Sequence, residues 1–171
     1  SSGSARARFK TSEGQIHDFT ATPGLSQSLT GVATGVDLTY SLYYCDKKGD
    51  DSLTTLHYGL KDSNGAIIAE ARAHVSQLDD ALEGTSKDCF KQVILNVPNN
   101  TATDIEIFAV MEVDSTLTEA QIYAHEQYID DDLEVRIDEF SLTYQGTPDA
   151  SAEVQLDEVR LVKRTIDELS D

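Results

Sequence analysis

The chain has 171 residues, 39% of them hydrophobic, which fits one domain with its own core. Thirty-one acidic residues against thirteen basic ones give a formal net charge of −18, which excludes a general electrostatic affinity for nucleic acid or an anionic membrane. No apolar run is long enough to cross a bilayer. An acidic excess of this size is typical of a surface that stays soluble in salty water or binds cations.

The chain begins with SSGS, without an initiating Met or the basic and apolar regions of a signal peptide. We interpret residues 1–4 as a linker or cloning scar, residues 5–164 as the folded domain, and residues 165–171 as a C-terminal linker or tail. We therefore expect a piece of a longer protein, monomeric by itself.

Apolar and polar residues alternate with a period of two in several segments, and this pattern predicts β-strands. In DLTYSLYYC (37–45) the alternation directs Leu38, Tyr40, Leu42 and Tyr44 to the core. LTTLHYGLK (53–61) and AIIAEARAHV (66–75) flank the turn residues DSNGA, which predicts a hairpin. Its inward residues would be Leu56, Tyr58, Leu60, Ile67, Ala69, Ala71, Ala73 and Val75.

The later segments FKQVILNVP (90–98) and IEIFAVMEV (105–113) flank NNTATD, and we predict a second hairpin there. Residues 118–129 have the length of about three helical turns, and residues 75–88 suit a loop or short helix. Seven or eight strands with turn-sized spacing predict an all-β fold. We expect an antiparallel two-sheet β-sandwich of the jelly-roll kind with short helical and loop insertions.

The two cysteines, Cys45 and Cys89, lie in separate β-like segments. They permit one disulfide if the compartment is oxidising. Their spacing matches neither a zinc motif nor a nucleophile motif. We expect them to be buried or bridged and not catalytic.

The end of the chain twice repeats an apolar residue followed by Asp-Glu, in RIDEFSLTY (136–144) and QLDEVRLVK (155–163). The apolar parity switches across Asp138-Glu139 and again across Asp157-Glu158, so each strand must absorb one extra residue. One interpretation is a β-bulge at each pair. The other is a Ca²⁺ site in which Asp138 or Asp157, with Glu13 from the N-terminal segment, supplies hard oxygen ligands.

Three segments resemble a jelly-roll carbohydrate-binding module of the kind attached to marine alginate lyases. They are SQSLTGVATGVDLTYSLYYCDKKG (26–49), DCFKQVILNVPNNTATDIEIFAVMEVD (88–114), and the closing VRIDEFSLT or VQLDEVRLV. The resemblance covers roughly residues 10–162. It implies a noncatalytic domain that binds an acidic, alginate-like polysaccharide and targets a covalently attached lyase. It also implies a structural calcium built from N-terminal acids and a final-strand Asp, and a secreted or periplasmic location.

In a sugar-binding sandwich the outward residues of the central strands would form the site. A tyrosine ring covers the apolar face of a sugar, while cationic side chains bind a uronate carboxylate. The candidates are Tyr43, His57, Lys61, Arg72, His74 and Arg136. The alternative is an ordinary solvated face in which Arg72 pairs with Glu70 or Glu106.

Two other functions remain open. The chain could be a calcium-stabilised structural or adhesive β-domain of a secreted multidomain protein, without a sugar site. QIH at 15–17 also matches a motif of jelly-roll alginate lyases, but the other strand motifs of those enzymes are missing. We therefore expect a binding domain and not an enzyme.

Overall fold

A computed structural model describes residues 5–8, 22–78, 89–124, 134–149 and 158–160. Nearly all regular structure in these residues is β. The helical elements are two 3₁₀ turns, Gly49–Asp51 and Val75–Gln77, and the short helix α1, Glu119–Ala124. The strands are β1 (Ala5–Arg8), β2 (Gly24–Leu29), β3 (Asp37–Cys45), β4 (Thr54–Asp62), β5 (Ile67–Ala73), β6 (Phe90–Val97), β7 (Ile105–Val113), β8 (Glu134–Gln145) and β9 (Glu158–Arg160).

The strands form two antiparallel sheets, which confirms the predicted all-β sandwich. Sheet I has the order β1-β8-β3-β6, and β9 pairs with β8 as its fifth strand. Sheet II has the order β2-β7-β4-β5. Apart from the hairpin β4–β5 within sheet II, consecutive strands from β1 to β8 lie in different sheets, which is the order of a jelly roll. Among the described residues no helix is long and apolar enough to span a membrane.

The core lies between the two sheets. Strand β3 contributes four side chains with at most 1% exposure, as its alternation predicts: Leu38, Tyr40, Leu42 and Tyr44. From sheet II, Leu56, Leu60 and Met111 face them and are fully buried. The Tyr40 hydroxyl crosses the core and donates to the backbone oxygen of Phe108 at 2.9 Å. This hydrogen bond gives the buried hydroxyl a partner and joins the sheets.

The prediction of a second hairpin is wrong. Strand β6 belongs to sheet I and β7 to sheet II, so the segment 98–104 crosses from one sheet to the other. Buried Asn100 holds this crossing, because its side-chain amide donates to the backbone oxygens of Ala33 and Ala102. A turn-rich sequence allows a change of direction but does not specify which sheet receives the next strand.

The first hairpin is confirmed, with one correction. Strands β4 and β5 pair around Asp62–Ala66, where Asp62 Oδ1 accepts from the backbone amides of Asn64 and Ala66. A register shift between Leu60 and Lys61 places Ile67 opposite Lys61. Ile67 is therefore 45% exposed instead of facing the core.

The extra residue predicted at Asp138-Glu139 is present. Two steps along β3, from Ser41 to Tyr43, correspond to three steps along β8, from Ser141 to Asp138. Glu139 absorbs the difference at φ 49°, in the left-handed region. The corresponding prediction for Asp157-Glu158 is not tested, because Asp157 lies outside the described residues. Residues 1–4 and 165–171, predicted to be linkers or tails, also lie outside them.

Cys45 and Cys89 form a disulfide with a Cα–Cα distance of 5.0 Å. Cys45 is the last residue of β3 and pairs with Phe90, the first residue of β6. The disulfide therefore links the two strands at the point where their pairing ends. The bond satisfies the expectation that these cysteines are bridged. The helix predicted within 118–129 is present over Glu119–Ala124; Thr118 precedes it, and residues 125–129 lie outside the described part.

Candidate functional site

The outer face of sheet II brings three of the predicted basic residues together. His57 and Lys61 lie on β4 with one intervening outward residue, Gly59, between them. Arg72 lies on β5 directly opposite His57. Because side chains alternate across a strand, all three project away from the core residues Tyr58 and Leu60.

Phe108 forms the floor of this face. It projects outward from β7 and is paired with Gly59, yet it is only 3% exposed. The His57 ring meets it edge-on at 5.0 Å between centroids, and the Lys61 ammonium lies 4.8 Å from its centroid. A Cβ atom at Gly59 would lie 2.3 Å from the Ala69 backbone oxygen and 3.1 Å from Phe108 Cζ, so it is mainly the close backbone of β5 that requires glycine here.

Carboxylates surround the basic side chains. His57 Nε2 lies 2.7 Å from Glu70 Oε2, and His57 Nδ1 lies 2.9 Å from Glu112 Oε1. The same Glu112 oxygen accepts from Arg72 Nε at 3.1 Å. Glu70 and Glu112 come from the strands on either side of β4, so they hold the imidazole ring in a fixed orientation.

Beside these residues a groove of about 400 Å³ runs over β2, β7 and β4. It combines apolar surface, hydroxyl groups, one ammonium group and carboxylates. Its lining residues are Thr22, Gly24, Leu25, Ser26, His57, Lys61, Glu106, Phe108, Val110 and Glu112. Such a groove offers a sugar both apolar contact and hydrogen-bonding partners.

The other three candidate binding residues lie elsewhere. Tyr43 and Arg136 belong to β3 and β8 of sheet I, on the opposite outer face of the sandwich. His74 follows β5 and caps a 3₁₀ turn, with Nδ1 2.7 Å from Ser76 Oγ and Nε2 2.8 Å from the Ser52 backbone oxygen. The six predicted residues therefore do not form one cluster, because the alternation that identifies an outward residue does not say on which sheet it lies.

The calcium candidates are only partly described. Asp138 is 8% exposed, and its Oδ1 accepts from the Glu139 backbone amide at 2.8 Å. Glu13 and Asp157 lie outside the described residues. In the part of the chain that the structure describes, no group of three or more His, Cys, Asp or Glu side chains is arranged to hold a metal ion.

A buried polar cluster lies at the end of β3 near the disulfide. The Asp46 carboxylate accepts from the Ser52 hydroxyl, from the Thr54 hydroxyl at 2.8 Å and from the Lys48 backbone amide at 3.0 Å. Burial, with a contribution from the nearby Asp46 charge, raises the pKa of Tyr44 well above its ordinary value. The cluster fixes the β3–β4 connection, because each hydrogen bond joins Asp46 to a residue of that connection or to the first residue of β4.

Eight of the ten groove residues were not among the sequence candidates, among them Glu106, Phe108 and Glu112 of β7. Their strand, IEIFAVMEV, does contain a signal. Phe108 is a large apolar residue at a position where alternation predicts an outward side chain. Such a residue indicates either a covered patch or a binding surface.

Neither protein-family models nor curated proteins provide a match to this chain. Among solved structures, the chain is similar to an arabinose-bound α-L-arabinofuranosidase of glycoside hydrolase family 51, at 14% identity and a TM-score of 0.38. The match covers 84% of this chain but 18% of that enzyme. This similarity to a carbohydrate-active enzyme is weak.

Proposed function

We propose that this domain is a noncatalytic carbohydrate-binding module that binds an acidic, alginate-like polysaccharide through the groove of sheet II. It would hold a covalently attached polysaccharide lyase near its substrate, raising the effective concentration without taking part in the reaction. The observation that carries the proposal is the placement of Lys61 and Arg72 on one sheet face, beside a groove with a Phe108 floor.

The groove residues suit a sugar acid. The Lys61 ammonium borders the groove and can bind a carboxylate as a point charge. The Arg72 side chain is 51% exposed, so its guanidinium can turn toward a ligand and bind a carboxylate through two parallel hydrogen bonds. Ser26 and Thr22 add hydroxyl groups that can both donate to and accept from sugar hydroxyls.

The same face also carries charges that oppose an acidic ligand. Glu106 and Glu112 line the groove, and the chain has a net charge of −18. An acidic sugar must therefore replace Glu112 as the partner of Arg72. Salt screens charges beyond about 8–10 Å, so binding in a salty medium depends on the local arrangement more than on the total charge. A neutral glycan avoids this cost and is the alternative ligand of the groove.

A secreted or periplasmic location and a structural calcium complete the proposal. The disulfide supports an oxidising compartment, since disulfides persist there. For calcium, the buried Asp138 next to the bulge is the described candidate ligand, to be joined by Glu13 or Asp157. The second candidate function is a calcium-stabilised structural or adhesive β-domain without a sugar site, which the buried Asp138 supports equally well.

Isothermal titration against a panel of glycans tests the proposal. The panel contains alginate, mannuronate and guluronate oligomers, pectin and neutral glucans, at low and high salt and in Ca²⁺. We expect binding to one uronate polymer that is lost in Arg72→Ala and Lys61→Ala. Lys47→Ala is the matched control, because it removes one exposed positive charge outside the groove.

Two outcomes would replace the proposed function with another one. No binding across the panel, with a melting temperature that rises in Ca²⁺, would favour the structural domain. Unsaturated uronate products detected by absorbance would instead identify a small lyase.

A further inference from the structure

Both ring nitrogens of His57, in the groove of sheet II, face carboxylates. Nε2 lies 2.7 Å from Glu70 Oε2, and Nδ1 lies 2.9 Å from Glu112 Oε1. A neutral imidazole has one N–H group and one lone pair, whereas the protonated ring has two N–H groups. Only the protonated ring can therefore donate to both carboxylates at the same time. In the neutral ring, one nitrogen has a lone pair that faces a carboxylate oxygen, and the two repel each other.

Nδ1 of His57 also has a neighbour of the opposite kind. Arg72 Nη2 lies 3.4 Å from it, and a guanidinium group can only donate. Arg72 Nε donates to the same Glu112 oxygen at 3.1 Å. When Nδ1 carries a proton, it donates to Glu112; when it does not, it can accept from Arg72. Protonation of the ring thus decides whether Glu112 is shared between the two basic side chains or left to Arg72 alone.

This exchange of partners affects the acidic ligand of the proposed function, on which the inference rests. An acidic sugar has to replace Glu112 at Arg72, whose side chain is 51% exposed. With the ring of His57 protonated, Glu112 keeps a charged partner after it leaves Arg72. With the ring neutral, Nδ1 and Glu112 both hold the guanidinium group, and the face has one positive charge fewer. Both effects favour uronate binding at the lower pH.

Three further groups on this face are charged or can be. In the described strands, Lys61 lies further along β4, and Glu106 is paired with it on β7. His74 follows β5 and has partners of its own, since its Nε2 lies 2.8 Å from the Ser52 backbone oxygen. Histidine is the side chain whose charge ordinarily changes between about pH 5 and pH 8. An experiment that varies the pH must therefore separate His57 from His74.

We propose that His57 is a positioning residue that makes uronate binding in the groove depend on pH, because its protonated ring holds Glu112 and leaves Arg72 to the sugar carboxylate. The groove then binds an acidic sugar in a mildly acidic medium and releases it as the pH rises. Because binding favours the protonated ring, the complex takes up protons when it forms.

Isothermal titration with mannuronate and guluronate oligomers at about pH 5.5 and about pH 8, at one ionic strength, tests the proposal. The wild type is expected to bind about tenfold more tightly at the lower pH. His57→Gln keeps a polar but uncharged side chain, so its affinity should stay within about twofold between the two pH values. His74→Gln is the matched control and should keep the pH dependence. Binding enthalpies in buffers of different ionisation enthalpy measure the proton uptake, which His57→Gln should lose.

Glu112→Gln tests the competition for Arg72 directly. Removing a groove carboxylate should tighten uronate binding, and the gain should be larger at about pH 8, where the neutral His57 leaves Glu112 to Arg72. Glu106→Gln is the matched control, because it removes the groove carboxylate that lies beside Lys61 instead. Its gain in affinity should be equal at both pH values.

The outcomes separate this proposal from the proposed function. Uronate binding of equal affinity at both pH values, or a pH dependence that persists in His57→Gln, would overturn the role of His57 and leave the proposed function intact. No uronate binding by the wild type at either pH would end both. Thermal melts at both pH values establish that each variant is folded. If His57→Gln does not fold, equal gains in Glu112→Gln at the two pH values would overturn the proposal.

Discussion

The Lys61 ammonium lies 4.8 Å from the centre of the Phe108 ring. A cation above an aromatic face is attracted by the ring quadrupole, by about 0.5–2 kcal/mol depending on solvation. The contact also explains why Phe108 is nearly inaccessible although it projects from the outer side of its strand. Lys61 and His57 shield the ring, and a ligand that displaces Lys61 would expose it.

Phe108 should contribute to stability as a core residue does. We expect Phe108→Ala to lower the free energy of unfolding by about 3 kcal/mol, because the substitution removes a buried ring and leaves its neighbours without contacts. Urea denaturation measures the change. Ile67→Ala on the same face is the control, since Ile67 is 45% exposed, and it should cost less than about 1 kcal/mol. Equal effects of the two substitutions would contradict the structural role of the ring.

Glu139 adopts a left-handed conformation at φ 49° in the bulge of β8. For a residue with a Cβ atom, this conformation lowers the stability of the folded state by about 1 kcal/mol, and for glycine it does not. We expect Glu139→Gly to raise the free energy of unfolding by up to about 1 kcal/mol, less the extra entropy of a glycine in the unfolded chain. Ser141→Gly in the regular part of the strand is the control and should destabilise. A lower stability of Glu139→Gly in Ca²⁺ but not in chelator would instead assign its carboxylate to a metal.

The amino-acid pattern predicted more of the fold than of the site. Alternation identified the inward face of β3, and a switch of parity located the bulge at Asp138-Glu139. Both are local properties of a strand. The partners of His57 are not local, since Glu70 and Glu112 come from two other strands. Which outward residues meet depends on strand order, and alternation contains no information about strand order.

Asp46 is the centre of a buried hydrogen-bonding cluster. Its carboxylate accepts from two hydroxyl groups and one backbone amide. An asparagine there has an NH₂ group in place of one carboxylate oxygen, and this NH₂ group would meet a donor where it needs an acceptor. We expect Asp46→Asn to lower the free energy of unfolding by about 2–3 kcal/mol, measured by urea denaturation. Asp50→Asn, at an exposed position in the same connection, should change it by less than about 0.5 kcal/mol. A stable Asp46→Asn protein would show that the cluster is replaceable.

The disulfide closes a loop with a sequence separation of 44 residues. Cross-linking a loop of this length stabilises a protein by about 4 kcal/mol in the chain-entropy model. The double variant Cys45→Ala, Cys89→Ala should therefore unfold at a clearly lower urea concentration than the oxidised protein. Reductant should shift the wild type toward the variant and leave the variant unchanged. An unchanged midpoint in the variant would mean that β3 and β6 hold together without the bond.

Alkaline pH should unfold the domain through its buried tyrosines. Burial raises the pKa of Tyr40, Tyr44 and Tyr58 above the ordinary value of 10.0. Below that value both the folded and unfolded chains keep these protons, so the full stability is present. As the pH rises past it, the unfolded chain loses protons that the folded chain retains, so stability falls until the folded pKa values are reached. Urea midpoints measured from neutral to alkaline pH should decline above 10.0, and less steeply in Tyr58→Phe, which has one ionisable group fewer. Identical slopes for wild type and Tyr58→Phe would show that Tyr58 ionises equally in both states.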